Sequence, residues 1–269
     1  MITVSELYIY PVKSFKGIQL QAAQLHNQGF YLDRRWMLVD EQGIFVSQRT
    51  VSELLFFEPY LTDDFLIIKH IPTQEQIQIP IKCNWEATTK VQIWDDTCIA
   101  KVAPLNINNW FNALLPIKVS LVFMPDEAER MADKKYTTTD YQVSFADAYP
   151  YLLISEASLA ELNRKSGEEW PINRFRPNIV VKGCLPQAEE KWLSFTIGKH
   201  LFHGVKPCAR CNVITINQIT SIAGKEPLAT LATYKRKDNK VIFGQNCVAN
   251  ATDGLVKIGD ELIVLKEKE

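Results

Sequence analysis

Gln76-Ile77-Gln78-Ile79-Pro80-Ile81 alternates polar and apolar side chains, the pattern that turns one face of a strand to a core and the other to water. Phe65-Leu66-Ile67-Ile68-Lys69 before it and Lys90-Val91-Gln92-Ile93-Trp94 after it are strands of the same kind, with turn residues between. Toward the N-terminus, residues 36–40 followed by Glu41-Gln42-Gly43 read as strand and turn, and residues 4–10 as a strand closed by Pro11. Toward the C-terminus, Leu105, Trp110, Phe111 and Leu114 fall at helical spacing within 104–115. A second helix opens at Ser155-Glu156-Ala157-Ser158, where serine oxygens offer N-caps, and runs to about residue 165. Residues 179–182, 193–197, 212–216, 241–243 and 262–265 read as further strands. Between the halves, the charged stretch 125–139 reads as a mobile loop or an interdomain connection, and a solvated helical turn would read the same way. The class is mostly β with some α (α+β), and short strands at such spacing point to barrels or sandwiches.

With 269 residues the chain has material for one large domain or two modest ones. A net charge of -1 argues against a dedicated nucleic-acid binder, which carries a strong basic excess or stripe. The start, Met-Ile-Thr-Val-Ser-Glu-Leu-Tyr-Ile-Tyr, shows no signal peptide, and nothing approaches the roughly 18 consecutive apolar residues of a spanning helix, so no membrane association is expected. The six cysteines then read as free thiols or ligands, and the expected location is the cytoplasm.

The most reactive segment is Lys206-Pro207-Cys208-Ala209-Arg210-Cys211-Asn212. Two thiols flanked by Lys206 and Arg210 sit in a positive setting that favours thiolate, a soft ligand for zinc, copper(I), iron–sulfur clusters or molybdenum. Zinc would need His200 and His203 to join Cys208 and Cys211; more simply, the two histidines flank a turn at Gly204. A nucleobase deaminase needs His-x-Glu upstream of Pro-Cys-x-x-Cys, and none of the four histidines is followed two residues later by Glu. The third possibility is an anionic cofactor with one cysteine on its metal. Arg174-Phe175-Arg176-Pro177-Asn178 presents two guanidinium forks at the start of a strand, and Lys13-Ser14 and Asp33-Arg34-Arg35-Trp36 supply further donors for phosphate.

Tyr10-Pro11-Val12-Lys13-Ser14-Phe15-Lys16-Gly17 resembles the opening motif of the MOSC N-terminal β-barrel. Arg174 to Val181, Cys208-Ala209-Arg210-Cys211, Phe145-Ala146-Asp147-Ala148-Tyr149-Pro150, Phe243-Gly244-Gln245-Asn246 and Val256-Lys257-Ile258-Gly259-Asp260 resemble motifs of the MOSC domain itself. By layout the chain is similar to the mitochondrial amidoxime-reducing components and their bacterial counterparts. The resemblance implies an N-terminal β-barrel domain over 1–125 and a β-barrel MOSC domain over 126–269, with a soft boundary and the cofactor between them. It implies a molybdenum–molybdopterin cofactor bound to metal through Cys211. Lys13, Ser14, Arg34, Arg174, Asn178 and Arg210 are implied around the pterin phosphate, with Arg176 beside them. Asp147 is implied near the reacting centre in a structural or proton-handling role. The implied activity is reduction of N-hydroxylated small molecules, with non-catalytic carriage of sulfur or of the cofactor as the alternative. Electrons would come from a separate ferredoxin-, flavodoxin- or cytochrome-type reductase system, because no Cys-x4-Cys-x2-Cys spacing for an Fe–S cluster occurs. Nor is there room for a pyridoxal-phosphate domain.

Overall fold

In the computed structural model, which describes residues 1–137 and 139–268, the first strand (Ile2–Ile9) belongs to a sheet drawn almost entirely from residues beyond 150. It pairs antiparallel with Ile179–Lys182 on one side and Glu261–Glu267 on the other. The sheet continues through Trp192–Ile197, His200–Arg210 and Lys240–Ala249, which pairs with Tyr151–Ser155. Tyr151–Ser155 lies parallel to Ile179–Lys182, and the seven strands therefore close into a barrel. Closure leaves no edge among those strands to recruit another chain.

Leu7-Tyr8-Ile9-Tyr10 is apolar throughout because this strand is covered on both faces. Leu7 and Ile9 join one buried cluster with Leu153, Ile179, Phe195 and Phe202. Tyr8 and Tyr10 join a second with Val180, Phe175 and the helix side chains Leu162 and Leu231. Those helices are α2 (Glu156–Ser166) and α3 (Leu228–Tyr234). A short helix, α1 (Leu105–Leu114), buries Ile107 and Phe111 as its spacing predicts.

The alternating segments build the N-terminal half. Phe57–Leu61, Phe65–His70 and Gln76–Pro80 form one antiparallel sheet. Trp36–Val39, Ser120–Phe123, Asp96–Val102 and Thr88–Ile93 form another. Burial follows the pattern: Val91, Ile93, Cys98 and Ala100 are buried while Lys90, Gln92 and Ile99 face outward. The chain crosses back between the two halves. Besides the first strand, Ala22–His26 pairs with Leu255–Lys257.

Three local expectations change. Residues 212–216 form no strand, since ladder pairing ends at Arg210 and the chain closes a 3-10 turn over Asn212–Thr215. Gly204 is no turn: it lies inside the strand His200–Arg210 beside a register shift, where an added Cβ would collide with the Trp192 carbonyl oxygen. The charged stretch after 125 is tethered, with Arg130 only 4% exposed; Thr138 within it, like Glu269 at the end of the second half, lies outside the described residues. Among the described residues no helix is long and apolar enough to cross a membrane.

Helix α2 starts on a buried acceptor. The Ser155 side chain accepts from the Ser158 amide, and the fully buried Glu189 carboxylate accepts from the Ser155 amide at 3.0 Å and from the Ser155 and Ser158 hydroxyls at 2.9 and 2.7 Å. Glu189→Ala strands these donors without water, so we expect a loss of about 2–4 kcal/mol in urea unfolding. A loss below about 0.5 kcal/mol, within the ordinary range for surface changes, would contradict this.

Candidate functional site

Lys206-Pro207-Cys208-Ala209-Arg210 occupies the end of the strand His200–Arg210, and the turn that follows re-aims the chain at Cys211. In that turn Ile214 N–H donates to the Cys211 carbonyl and the Thr215 hydroxyl to the Asn212 carbonyl at 2.8 Å. The Cys211 thiol is exposed, whereas Cys208 is half-buried. Burial pushes the Cys208 thiol upward and outweighs the Arg210 charge that would lower it, so the thiolate expected from basic neighbours is not favoured at Cys208. No group of three or more His, Cys, Asp or Glu among the described residues could hold a metal by itself, which removes the zinc arrangement with His200 and His203.

Cys211 opens onto a cavity of about 270 Å³, and the other eight candidates line it too: Lys13, Ser14, Arg34, Asp147, Arg174, Arg176, Asn178 and Arg210. They come from five separate stretches of chain. The Tyr10 aromatic ring lies between two guanidinium groups, Arg34 at 4.3 Å and Arg176 at 4.2 Å. Behind them the buried Asp33 accepts from the Tyr10 amide at 2.7 Å and from Arg34 Nη1 at 2.5 Å. Arg34 also donates to Asn178 Oδ1 at 2.9 Å and to the Arg176 carbonyl at 3.2 Å. Ser14, Arg34 and Arg176 all take positive φ values, 71°, 52° and 57°, an unfavourable backbone region for residues with a Cβ. Arg35, offered by the sequence beside Arg34, turns away to the Met124 carbonyl and Asp126.

The guanidinium groups are only partly used. Arg174 donates through Nε to the Ile214 carbonyl at 2.5 Å and lies over Trp170. Arg210 donates to the Phe243 and Phe175 carbonyls, and its buried Nη2 has no partner among the described residues. Arg176 spends Nη1 on the Phe15 carbonyl, and burial lowers its pKa to about 10. Several forks thus face one small space with donors to spare.

Across the cavity the Lys13 ammonium donates to the Phe145 carbonyl at 2.8 Å and to Asp147 Oδ1 at 2.5 Å. Trp94 Nε1 donates to the same oxygen at 3.2 Å. Desolvation by the surrounding site works to raise the Asp147 carboxyl, but the side chain is 66% exposed, and Lys13, Trp94 and Arg49 hold the group well below the usual carboxylate range. Burial lowers Lys13 to about 8, with Asp147 opposing the fall. Arg130 fixes the Asp147 loop by donating to the carbonyls of Ser144, Ala146 and Asp147.

Arg130, Trp94, Arg49 and Tyr10 had no signal as site residues in the sequence. Arg130 sits in a charged run that reads as solvated, and Arg49 and Trp94 belong to no motif. Tyr10 opens the Tyr10-Pro11-Val12-Lys13-Ser14 stretch but reads simply as a strand's last apolar residue.

The chain belongs to the MOSC family: residues 1–118 match the MOSC N-terminal beta barrel domain and residues 140–263 the MOSC domain. It is 32% identical to mitochondrial amidoxime reducing component 2 of Bos taurus, over 96% of this chain and 80% of that one. It is 29% identical to mitochondrial amidoxime-reducing component 1 of Homo sapiens, over 98% and 83%. It is also 28% identical to the molybdenum cofactor sulfurase of Oryza sativa subsp. japonica over 90% of this chain, which spans only 32% of that longer protein. These relationships tie the chain to molybdenum-cofactor function.

The lowered Lys13 value has a consequence for stability. The folded protein releases this proton near pH 8, while the unfolded chain holds it to its ordinary 10.5. Between those values the unfolded state binds more protons, so Lys13 contributes stability that rises with pH. Thermal unfolding of wild type and Lys13→Met across that window should differ in slope, the wild type gaining relative to the variant. Parallel curves would show that Lys13 titrates normally.

Proposed function

We propose that the chain is a molybdenum-dependent reductase of N-hydroxylated compounds, including amidoximes, hydroxylamines and N-hydroxylated bases. The observation that carries this is the convergence of partly uncommitted guanidinium groups and one exposed thiol on a single cavity. The buried, unpartnered Arg210 Nη2 and the free donors of Arg174 suit a phosphate, whose oxygens accept from planar forks, and the Cys211 thiol suits a soft metal. The residues present therefore fit a molybdenum–pterin group.

In this proposal Cys211 is the protein ligand to molybdenum, and Lys13, Ser14, Arg34, Arg174, Arg176, Asn178 and Arg210 hold the pterin phosphate and its surroundings. When bound, the group supplies two-electron removal of oxygen from nitrogen, which no side chain here can perform. The overall change consumes two electrons and two protons, breaks the N–O bond and releases water. Asp147 stays ionised and offers Oδ2 to a substrate N–H, since Oδ1 is already engaged. Lys13 Nζ, lowered to about 8, holds a proton at neutral pH that it yields more readily than an ordinary lysine, suiting it to protonate departing oxygen. Electrons enter from a separate protein.

An exposed Cys211 and the similarity to molybdenum cofactor sulfurase favour a second reading, a carrier of persulfide sulfur or of the cofactor. Elemental analysis of protein from a host that makes the pterin cofactor separates these. Near-stoichiometric molybdenum is expected, lost in Cys211→Ser and retained in Cys208→Ser, with benzamidoxime reduced by an artificial electron donor. Loss in Cys208→Ser alone would overturn the ligand assignment, and sulfur transfer without benzamidoxime turnover would favour the carrier.

A further inference from the structure

Seven cations line the cavity, and six are answered by protein acceptors. Lys13, Arg34 and Lys206 each have a carboxylate within 4 Å. Arg174, Arg176 and Arg210 each donate to backbone carbonyls. Arg49 differs: among the described residues its guanidinium makes no ion pair and no hydrogen bond. Its partners are aromatic faces, Trp94 at 4.3 Å and Phe45 at 5.4 Å. These rings fix the plane and position of the fork without occupying any of its N–H donors. Arg49 is a half-buried cation whose donors are all free, held beside a small cavity.

Its position separates it from the forks assigned to phosphate. Trp94, which lies under the Arg49 guanidinium, also donates to Asp147 Oδ1 at 3.2 Å, so Arg49 stands on the Asp147 wall. That wall therefore presents a free acceptor, Asp147 Oδ2, next to a free guanidinium fork. Phe45, itself lining the cavity, adds a flat apolar surface beside them.

We infer that Arg49, set on Phe45 and Trp94, is a specificity-determining residue that receives a carboxylate on the substrate. Resting on the reductase reading, this narrows the substrate class to N-hydroxylated compounds that also carry a carboxylate. The substrate's N–H meets Asp147 Oδ2 while its carboxylate meets the Arg49 fork, two charge-assisted contacts that fix its orientation. An unpaired fork also penalises a cationic analogue by like-charge repulsion.

Two probes on the purified full chain test the site without turnover: benzoate and inorganic phosphate, each titrated calorimetrically. Arg49→Gln should weaken benzoate by about tenfold, the scale of one charge-assisted hydrogen-bonded contact, and leave phosphate unaltered. Arg174→Gln should do the reverse. Arg49→Lys, which keeps the charge and loses the fork, should fall between wild type and Arg49→Gln for benzoate. In molybdenum-loaded protein, 4-carboxybenzamidoxime should be preferred over benzamidoxime, and Arg49→Gln should erase the preference by raising KM for the carboxylated compound. Benzoate binding indifferent to Arg49 would overturn the inference, as would Arg49→Gln weakening both probes, which would assign Arg49 to the phosphate cradle. Arg49-dependent benzoate binding without turnover of either amidoxime would support the anion site and sink the reductase reading instead.

Discussion

One buried carboxylate, Asp33, makes the rest of the cavity possible. It is 1% exposed, and its two oxygens tie the Tyr10 amide to the Arg34 guanidinium. Arg34 passes the constraint on, reaching Asn178 and the Arg176 carbonyl in the other half of the chain. Taking a carboxylate and a guanidinium out of water costs several kcal/mol per ion before their attraction offsets it, on the order of the stability of a small domain's margin. The pair is therefore weak as a source of stability and strong as a fixer of geometry. With it in place, the Tyr10 ring is held between two like charges that would otherwise move apart.

The same logic governs the opposite wall. Lys13 and Asp147 form a close pair, but the acid is held by Lys13, Trp94 and Arg49 while the base chiefly loses hydration. Asp147 is thereby committed to its charged form, whereas Lys13 is left near its titration point. Groups whose surroundings push their pKa values apart in this way are suited to distinct roles, which two symmetrically placed groups would lack. Arg130 pins the carbonyls of the Asp147 loop from behind, and its charge adds to the lowering of Lys13.

Much of the fold was legible because period-two patterning in 65–69, 76–81 and 90–94 leaves a strand only one way to bury its apolar face. The three helices are a harder case: α1 carries apolar spacing and α2 a serine cap, while α3, Leu228–Tyr234, is seven residues stabilised by contact with the barrel. Val213-Ile214-Thr215-Ile216 reads as a strand on β-propensity alone, and the absence of a pairing partner past Arg210 decides otherwise. Nine site candidates came from motifs, and all nine line one cavity. Arg130 was invisible because a guanidinium that satisfies backbone carbonyls looks, in sequence, like any solvated charge.

What the sequence determined by itself is composition and local geometry: which segments pair as strands, which serine caps a helix, and which side chains can accept metal or phosphate. Those properties depend on neighbours within a few residues. Only tertiary structure decided that Ile2–Ile9 completes a barrel begun 150 residues later, that Cys211 is exposed while Cys208 is half-buried, and that Arg49 stands free beside Asp147. Burial, charge partnership and the choice between a free and a committed donor are set by groups distant in sequence, because desolvation and Coulomb attraction act through space and not along the chain.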